Sequence, residues 1–284
     1  MSAVPFSKVT VLGLGIVGSR ACQRLVEAGW NVSCWNRTPK GLPCEVDSPL
    51  ESIKGAEVVS LYLKDAPAIR EVMSRVVTKL EPGQILLNHS TIDLETTRWL
   101  EETCLSRGCR FLDAPFTGSK VAAQNGQLVY YIGGDESLAA ELEPFLTITS
   151  KARLYCGPVG AATVIKLTTN LISACYVQAM SEALAITTSH GVPAERLIEA
   201  VSQNASGSVL ASMKFPTMVS GDYETHFSLD NMAKDCRYML ELAAVADLEI
   251  PAIGAVSKRL EQLRANGLGD LDYSALAKPY MQET

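Results

Sequence analysis

From Lys8 to about Cys156, short apolar, β-rich runs alternate with amphipathic stretches, the pattern of a parallel sheet whose strands are joined by crossover helices. Strands are expected at Val9 to Leu12, Asn31 to Trp35, Glu57 to Leu63, Gln84 to Asn88, Arg110 to Asp113, Gln127 to Ile132 and Arg153 to Tyr155. Most are continuous apolar runs, as strands covered on both faces require. After Gly160 the pattern changes: helical periodicity runs through almost all the remaining chain and no convincing strand recurs. The expected organisation is an α/β domain over 1–160 and an all-helical domain over 161–284. The second opens with a helix from Ala161 to about Ser189, roughly 40 Å long at 1.5 Å per residue and able to run from one domain into the next. Gly191 and Pro193 end it.

Length adds little to this picture, since 284 residues already suggest about two domains. Hydrophobic residues at 47% and charged residues at 20% are ordinary globular usage, so the chain should fold. The long helix could span a bilayer by length alone, but Lys166, Asn170, Gln178 and Glu182 interrupt it at a cost that favours a buried helix off the membrane. A net charge of −6 argues against broad contact with nucleic acid or anionic lipid, both of which need a basic surface. The eight cysteines are scattered through apolar stretches without a CxxC pair or a histidine cluster, which reads as reduced, mostly buried thiols and no metal. Residues 1–8 run straight into a strand pattern and lack the basic, apolar and small-residue order of a signal peptide. A cytoplasmic location is expected.

Chemistry enters at Gly13-Leu14-Gly15-Ile16-Val17-Gly18, placed between the first strand and a helical pattern over Ser19 to Ala28. In a strand-turn-helix unit the first glycine makes the tight turn, the second lets backbone approach a pyrophosphate, and the third lets helix and strand pack closely. The helix N-terminus then offers N–H groups and partial positive charge to the phosphates. With that context the motif predicts a Rossmann-type dinucleotide site. At the end of the second strand an NAD enzyme usually carries an acidic residue for the ribose hydroxyl, whereas this chain has Asn36-Arg37-Thr38. An arginine fork beside amide and hydroxyl groups suits a 2′-phosphate, so NADP(H) is the expected cofactor.

Two further segments carry candidate chemistry. Lys166 and Asn170, four residues apart near the start of the long helix, share one face. A lysine on an apolar, Thr-rich helix costs free energy unless it has a partner or a task, although taken alone it is most often a snorkelling surface residue. Asp113-Ala114-Pro115-Phe116-Thr117-Gly118-Ser119-Lys120 ends a strand and turns into a polar, glycine-bearing loop, at the strand end where parallel sheets bind ligands. Its Thr117 and Ser119 hydroxyls, with N–H groups about Gly118, are candidates to hold a carboxylate; on local sequence alone a Pro-Gly turn with local Ser/Thr bonds is the simpler account. His89 sits at a strand end near the cofactor loop, while His190 and His226 read as structural or solvated.

Taken in order, Gly13 to Gly18, Asn36-Arg37-Thr38, Ser90-Thr91, Asp113 to Gly118, Gly160 with Lys166 and Asn170, and Lys234-Asp235 resemble the motifs of the β-hydroxyacid dehydrogenase family over nearly the whole chain. Within it, Asp113 to Lys120, Asn125-Gly126-Gln127-Leu128 and Gly267 to Tyr273 most resemble the glyoxylate and succinic semialdehyde reductases. Phe116 and Thr117 depart from that pattern, standing for a smaller residue and for serine, which leaves substrate choice open. The resemblance implies reduction of a small carboxylic acid's carbonyl, or the reverse oxidation, with Lys166 as catalytic lysine and Asn170, Thr117, Gly118 and Ser119 orienting the substrate. It further implies that Leu63, Thr91 and Lys234 border the cofactor, that Asp235 orients a lysine or joins a local network, and that the helical domain forms a homodimer or homotetramer. Imine reductases share the architecture but usually carry another residue at the Lys166 position. A non-catalytic NADP-binding module tends to lose that lysine, and a phosphogluconate-type dehydrogenase is much longer and needs a phosphate-binding cluster that is not evident here.

Overall fold

In the computed structural model, which describes residues 6–281, the central strands form where apolar runs are covered on both faces. The first five residues, read above for a leader, lie outside that range. The order is β1 (Val9–Leu12), α1 (Gly18–Glu27), β2 (Val32–Trp35), α2 (Pro49–Ile53), β3 (Val58–Leu61), α3 (Ala66–Val76), β4 (Ile85–Asn88), α4 (Leu94–Ser106) and β5 (Arg110–Asp113). Then come β6 (Phe116–Thr117), α5 (Lys120–Gln124), β7 (Leu128–Gly134), α6 (Glu136–Glu141), α7 (Glu143–Leu146) and β8 (Ser150–Gly157).

β1 lies between β2 and β3, with β4 and β5 following, all parallel. Every residue of β1, β3 and β4 is buried, which is why those segments read as mainly apolar runs, with only Thr10, Ser60 and Asn88 polar. β7 runs antiparallel to β5 and β6 and parallel to β8, completing a mostly parallel sheet of eight strands. The register Leu12↔Leu61, Leu61↔Asn88 and Asn88↔Asp113 aligns the carboxyl ends of four strands, so the loops that follow them emerge at one edge.

The expected polar loop after Asp113 is corrected by the structure. Phe116 and Thr117 pair with Tyr130 and Val129 as β6, and Ser119 caps α5 by accepting the Ala122 N–H at 3.2 Å. A two-residue strand is too short to show periodicity, and Pro115 and Gly118 on either side made the segment look like a plain turn.

The chain divides into two compact units, 1–166 and 167–284. α8 (Ala161–Ser189) begins in the first and continues in the second. The second unit adds α9 (Ala194–Ser202), α10 (Val209–Ser220), α11 (Leu229–Val245), α12 (Pro251–Leu263) and α13 (Lys278–Met281). Leu167, Ala174, Val177, Met180 and Leu184, at three-, four- and seven-residue intervals on α8, belong to a core with Phe215, Met218, Met232, Cys236, Leu260 and Leu276. Among the described residues, no helix is long and apolar enough to cross a membrane.

Candidate active site

The glycine turn is built as a dinucleotide loop requires. Gly13 has φ +101°, and a Cβ there would stand 2.3 Å from the Tyr62 carbonyl oxygen; one on Gly18 would stand 2.1 Å from the Gly13 carbonyl oxygen. Both positions therefore exclude any side chain. Around Gly15, by contrast, nothing lies within 4 Å of an added Cβ, leaving open space beside the backbone. Helix α1 has Val17 at its N-cap, no side-chain cap and no acidic residue in its first turn. Ser48, Asp65, Asp93, Ser119 and Asp135 cap α2 to α6 through side-chain oxygens. An uncapped N-terminus behind an open glycine is what an anionic pyrophosphate would complete. The residues present fit a dinucleotide.

Three predicted cofactor residues gather around this turn. Asn36 accepts the Leu14 N–H at 2.9 Å and donates to the Thr38 carbonyl at 2.7 Å, so its amide locks the glycine loop to the Asn36-Arg37-Thr38 loop. Arg37 projects into solvent, with its side chain 76% exposed and Glu71 3.4 Å from its guanidinium. That contact is weak and leaves the fork accessible. Leu63 reaches within 3.1 Å of the position a Gly13 Cβ would take, and its N–H donates to Ser90 Oγ at 2.8 Å, tying the loop after β3 to the one that carries Thr91.

Asp113 and His89 are buried where β4 and β5 end. Asp113 accepts the Thr163 N–H at 2.9 Å, the Thr163 hydroxyl at 2.7 Å and the Asn88 amide at 3.3 Å. It thus caps the first turn of α8 from a distant strand. Burial pushes its carboxyl up to about 6 against those hydrogen bonds. His89, expected near the cofactor loop, has a fully buried ring, stacked on Tyr62 at 4.5 Å and beside Tyr130 at 4.8 Å. With Nδ1 2.8 Å from the Ala114 carbonyl, that nitrogen carries the proton. Desolvation lowers the ring's pKa to about 4, so the imidazole is neutral at pH 7. His190 and His226 are exposed.

On α8 both Lys166 and Asn170 are buried, at 7% and 8% exposure, which sets this lysine apart from a snorkelling surface residue. Asn170 donates its amide N–H to Asp235 Oδ2 at 2.6 Å. Lys234, itself buried, pairs with Asp235 Oδ1 at 3.0 Å and lies 5.4 Å from the Tyr238 ring. Asp235 therefore joins α8 to α11 and holds the Asn170 amide and the Lys234 ammonium together. The last motif of the sequence is architectural: buried Asp272 takes the Lys214 ammonium at 2.7 Å and the Phe227 and Ser274 N–H groups.

Sequence reasoning missed two features. Asp113 was read as the end of a strand and the head of a loop motif, with no partner given to it; its signal was a carboxylate closing an apolar run, where burial demands a partner. The cysteines, seemingly scattered, are in part gathered: Cys22 of α1, Cys34 of β2 and Cys44 bring their sulfurs within 4.8 Å of one another. Spacings of 12 and 10 residues hide that meeting, because it is made by the βαβ fold and not by a local motif.

With this geometry in view, comparison with known proteins defines the class. The family described as the NAD binding domain of 6-phosphogluconate dehydrogenase matches residues 8–157, and that described as the NAD-binding of NADP-dependent 3-hydroxyisobutyrate dehydrogenase matches 160–280. Glyoxylate/succinic semialdehyde reductase 1 of Arabidopsis thaliana is 31% identical over 95% of this chain and 96% of its own length. The chloroplastic reductase 2 of the same plant is 31% identical over 93% and 77%. In fold, 3-hydroxyisobutyrate dehydrogenase of Mycobacterium tuberculosis superposes with a TM-score of 0.89 over 96% of this chain and 98% of its own, at 24% identity. The chain belongs to the β-hydroxyacid dehydrogenase family and is an NAD(P)-dependent hydroxyacid dehydrogenase.

Proposed function

We propose that the protein uses NADPH to reduce the aldehyde or ketone group of a short carboxylic acid, such as glyoxylate or succinic semialdehyde, with Lys166 as the proton donor. The observation that carries this reading is Lys166, a residue buried on α8 one turn before an equally buried Asn170. The glycine turn at 13–18 and the uncapped start of α1 would hold the pyrophosphate. Arg37, with Asn36 and Thr38, would take the 2′-phosphate, and Leu63, Thr91 and Lys234 would border the rest of the cofactor.

When bound, the dinucleotide supplies the hydride for the carbonyl carbon. Negative charge then grows on the carbonyl oxygen; the Lys166 ammonium stabilises that charge and gives up its proton to it. In the reverse direction the neutral amine accepts the hydroxyl proton. Asn170, its amide fixed by Asp235, orients the substrate. The Thr117 hydroxyl and backbone about Gly118 are assigned to the substrate carboxylate. Ser119 shares that role, although its oxygen already accepts the Ala122 N–H.

Lys166→Ala should lower turnover roughly 10²- to 10⁴-fold, the usual worth of a placed acid, while NADPH still binds in a fluorescence titration. Wild-type turnover in that variant removes Lys166 from the mechanism. A panel of short aldehyde acids and a cyclic imine, each assayed with NADPH and NADH, separates carbonyl reduction from imine reduction. NADPH binding without turnover on the whole panel would mark a non-catalytic module.

The same reading includes self-association as a homodimer or homotetramer and a cytoplasmic location. Ile165, Ile172 and Ile186 are exposed along α8, the last two at 67% and 64%, and seven-residue steps through Ala179 link them into one stripe. A second copy of this chain is the partner assigned to it.

A further inference from the structure

The sulfur cluster under the Arg37 loop has no part in the chemistry above. Cys44 Sγ lies 3.3 Å from Cys34 Sγ and 3.5 Å from Cys22 Sγ, and among the described residues these three form the one group of metal-competent side chains brought so close. Each is held by backbone. Cys22 is in α1, Cys34 is central in β2, and Cys44 is pinned to β2 because the Cys34 N–H donates to the Cys44 carbonyl and the Val46 N–H to the Cys34 carbonyl. Cys22 and Cys34 are buried and Cys44 is half-buried, so the cluster comes nearest to solvent at Cys44.

From this geometry we propose that Cys22, Cys34 and Cys44 form a three-thiolate binding site for a thiophilic metal ion of the zinc and cadmium type. Around an ion with sulfurs at about 2.3 Å, tetrahedral ligands stand roughly 3.8 Å apart. The two contacts to Cys44, at 3.3 and 3.5 Å, need only open by a few tenths of an ångström to admit it, and Cys22 and Cys34 already stand within 4.8 Å of each other, so side-chain adjustment suffices. Three ligands leave a fourth position to solvent, reached from the Cys44 side. Glu45, the nearest carboxylate in sequence, is already engaged by the N–H groups of Lys40, Gly41 and Leu42, so it is not the fourth ligand. Binding replaces three S–H bonds with three sulfur-metal bonds, releases three protons to solvent and changes no oxidation state. A disulfide would use two of the sulfurs and strand the third, whereas one ion uses all three.

The consequence is a clamp on the cofactor loop. Residues 36–43 leave β2 after Trp35, next to Cys34, and return at Cys44, so an ion on these sulfurs would close both stems of the loop that carries Asn36, Arg37 and Thr38 and fasten them to α1. The proposal stands on the sulfur positions and is independent of what Arg37 binds.

The test uses the full chain, reduced and metal-free, titrated with cadmium alone and followed by thiolate-to-cadmium absorption and equilibrium dialysis. One cadmium per chain, protection of three thiols from a disulfide reagent and a raised thermal midpoint are expected. Cys44→Ser, at a half-exposed position, should lose the absorption and weaken binding at least tenfold, while Cys175→Ser, away from the cluster, should match wild type. Absence of stoichiometric uptake, or equal affinity in Cys44→Ser, overturns the site. Because the readout is metal binding, failure here leaves the assignment of NADPH and Lys166 untouched, and failure of that assignment leaves this site standing.

Discussion

At Arg37 the proposed preference for NADPH turns on a single exposed fork. A 2′-phosphate bound there would gain charge-assisted hydrogen bonds, each worth about 1.5–3 kcal/mol. Arg37→Ala should therefore raise KM for NADPH about tenfold or more and leave KM for NADH unchanged, as steady-state kinetics with both cofactors will show. Equal KM for NADPH in the variant would make Arg37 a solvated loop charge. Two buried residues where β4 and β5 end give the fold opposing responses to acid. His89 titrates near 4 when folded against an ordinary 6.5, so the unfolded chain binds its proton first and stability is lost as pH falls from 6.5 to 4. Asp113 titrates near 6 against 3.8, so the folded chain binds first and stability is gained as pH falls through that window. Each contribution reaches about 3 kcal/mol, at 1.36 kcal/mol per pKa unit. Compared with wild type between pH 7 and 4.5, His89→Gln should lose less stability in urea unfolding and Asp113→Asn should lose more. Identical slopes in all three proteins would contradict both assignments.

At the scale of elements, the start of α8 decides where Lys166 sits. Gly160, with φ +90°, lets the chain turn into the helix, and Asp113 seizes the Thr163 N–H and hydroxyl one turn before the lysine. Removing that cap strands buried donors at about 1–3 kcal/mol. Asp113→Ala should lower unfolding stability by that amount and reduce kcat more than it raises KM for NADPH. Restoration of kcat by Asn, which keeps an acceptor, would separate positioning from mere folding; a kcat unchanged in the Ala variant would detach the cap from catalysis. How legible such features are depends on their range. β1 and β5 could be read to the residue because apolar runs and glycine turns are local signals, and so could the full span of α8. Lys166 and Asn170 were readable as a pair for the same reason, being four apart on one helix. The role of Asp235 was open in sequence because it depends on α11 meeting α8, and the Asp113 cap bridges 50 residues. Strand β6 escaped because two residues cannot show a period, and its partner β7 supplies the order.

For the whole molecule, the exposed stripe on α8 is the feature a single chain leaves unexplained. The inward face of the helix is spent on the core through Leu167, Ala174, Val177 and Leu184, which accounts for the helix's stability without any help from the opposite side. Outward isoleucines at seven-residue steps keep one line along a helix, drifting only about 20° per step, and each adds roughly 1.5–3 kcal/mol if a partner buries it fully. A second copy presenting the same stripe would bury Ile172 and Ile186 twice over, and an isologous pair needs no other surface to be complementary. Ile172→Asp places a carboxylate opposite its own symmetry mate or against apolar side chains, and burying it unpaired is costly. Sedimentation velocity should show wild type as the proposed dimer or tetramer and the variant as monomer, with far-ultraviolet circular dichroism unchanged, since an outward aspartate disturbs no core contact. An assembly that survives the substitution intact would move the subunit interface off this face of α8 and return the stripe to ordinary surface.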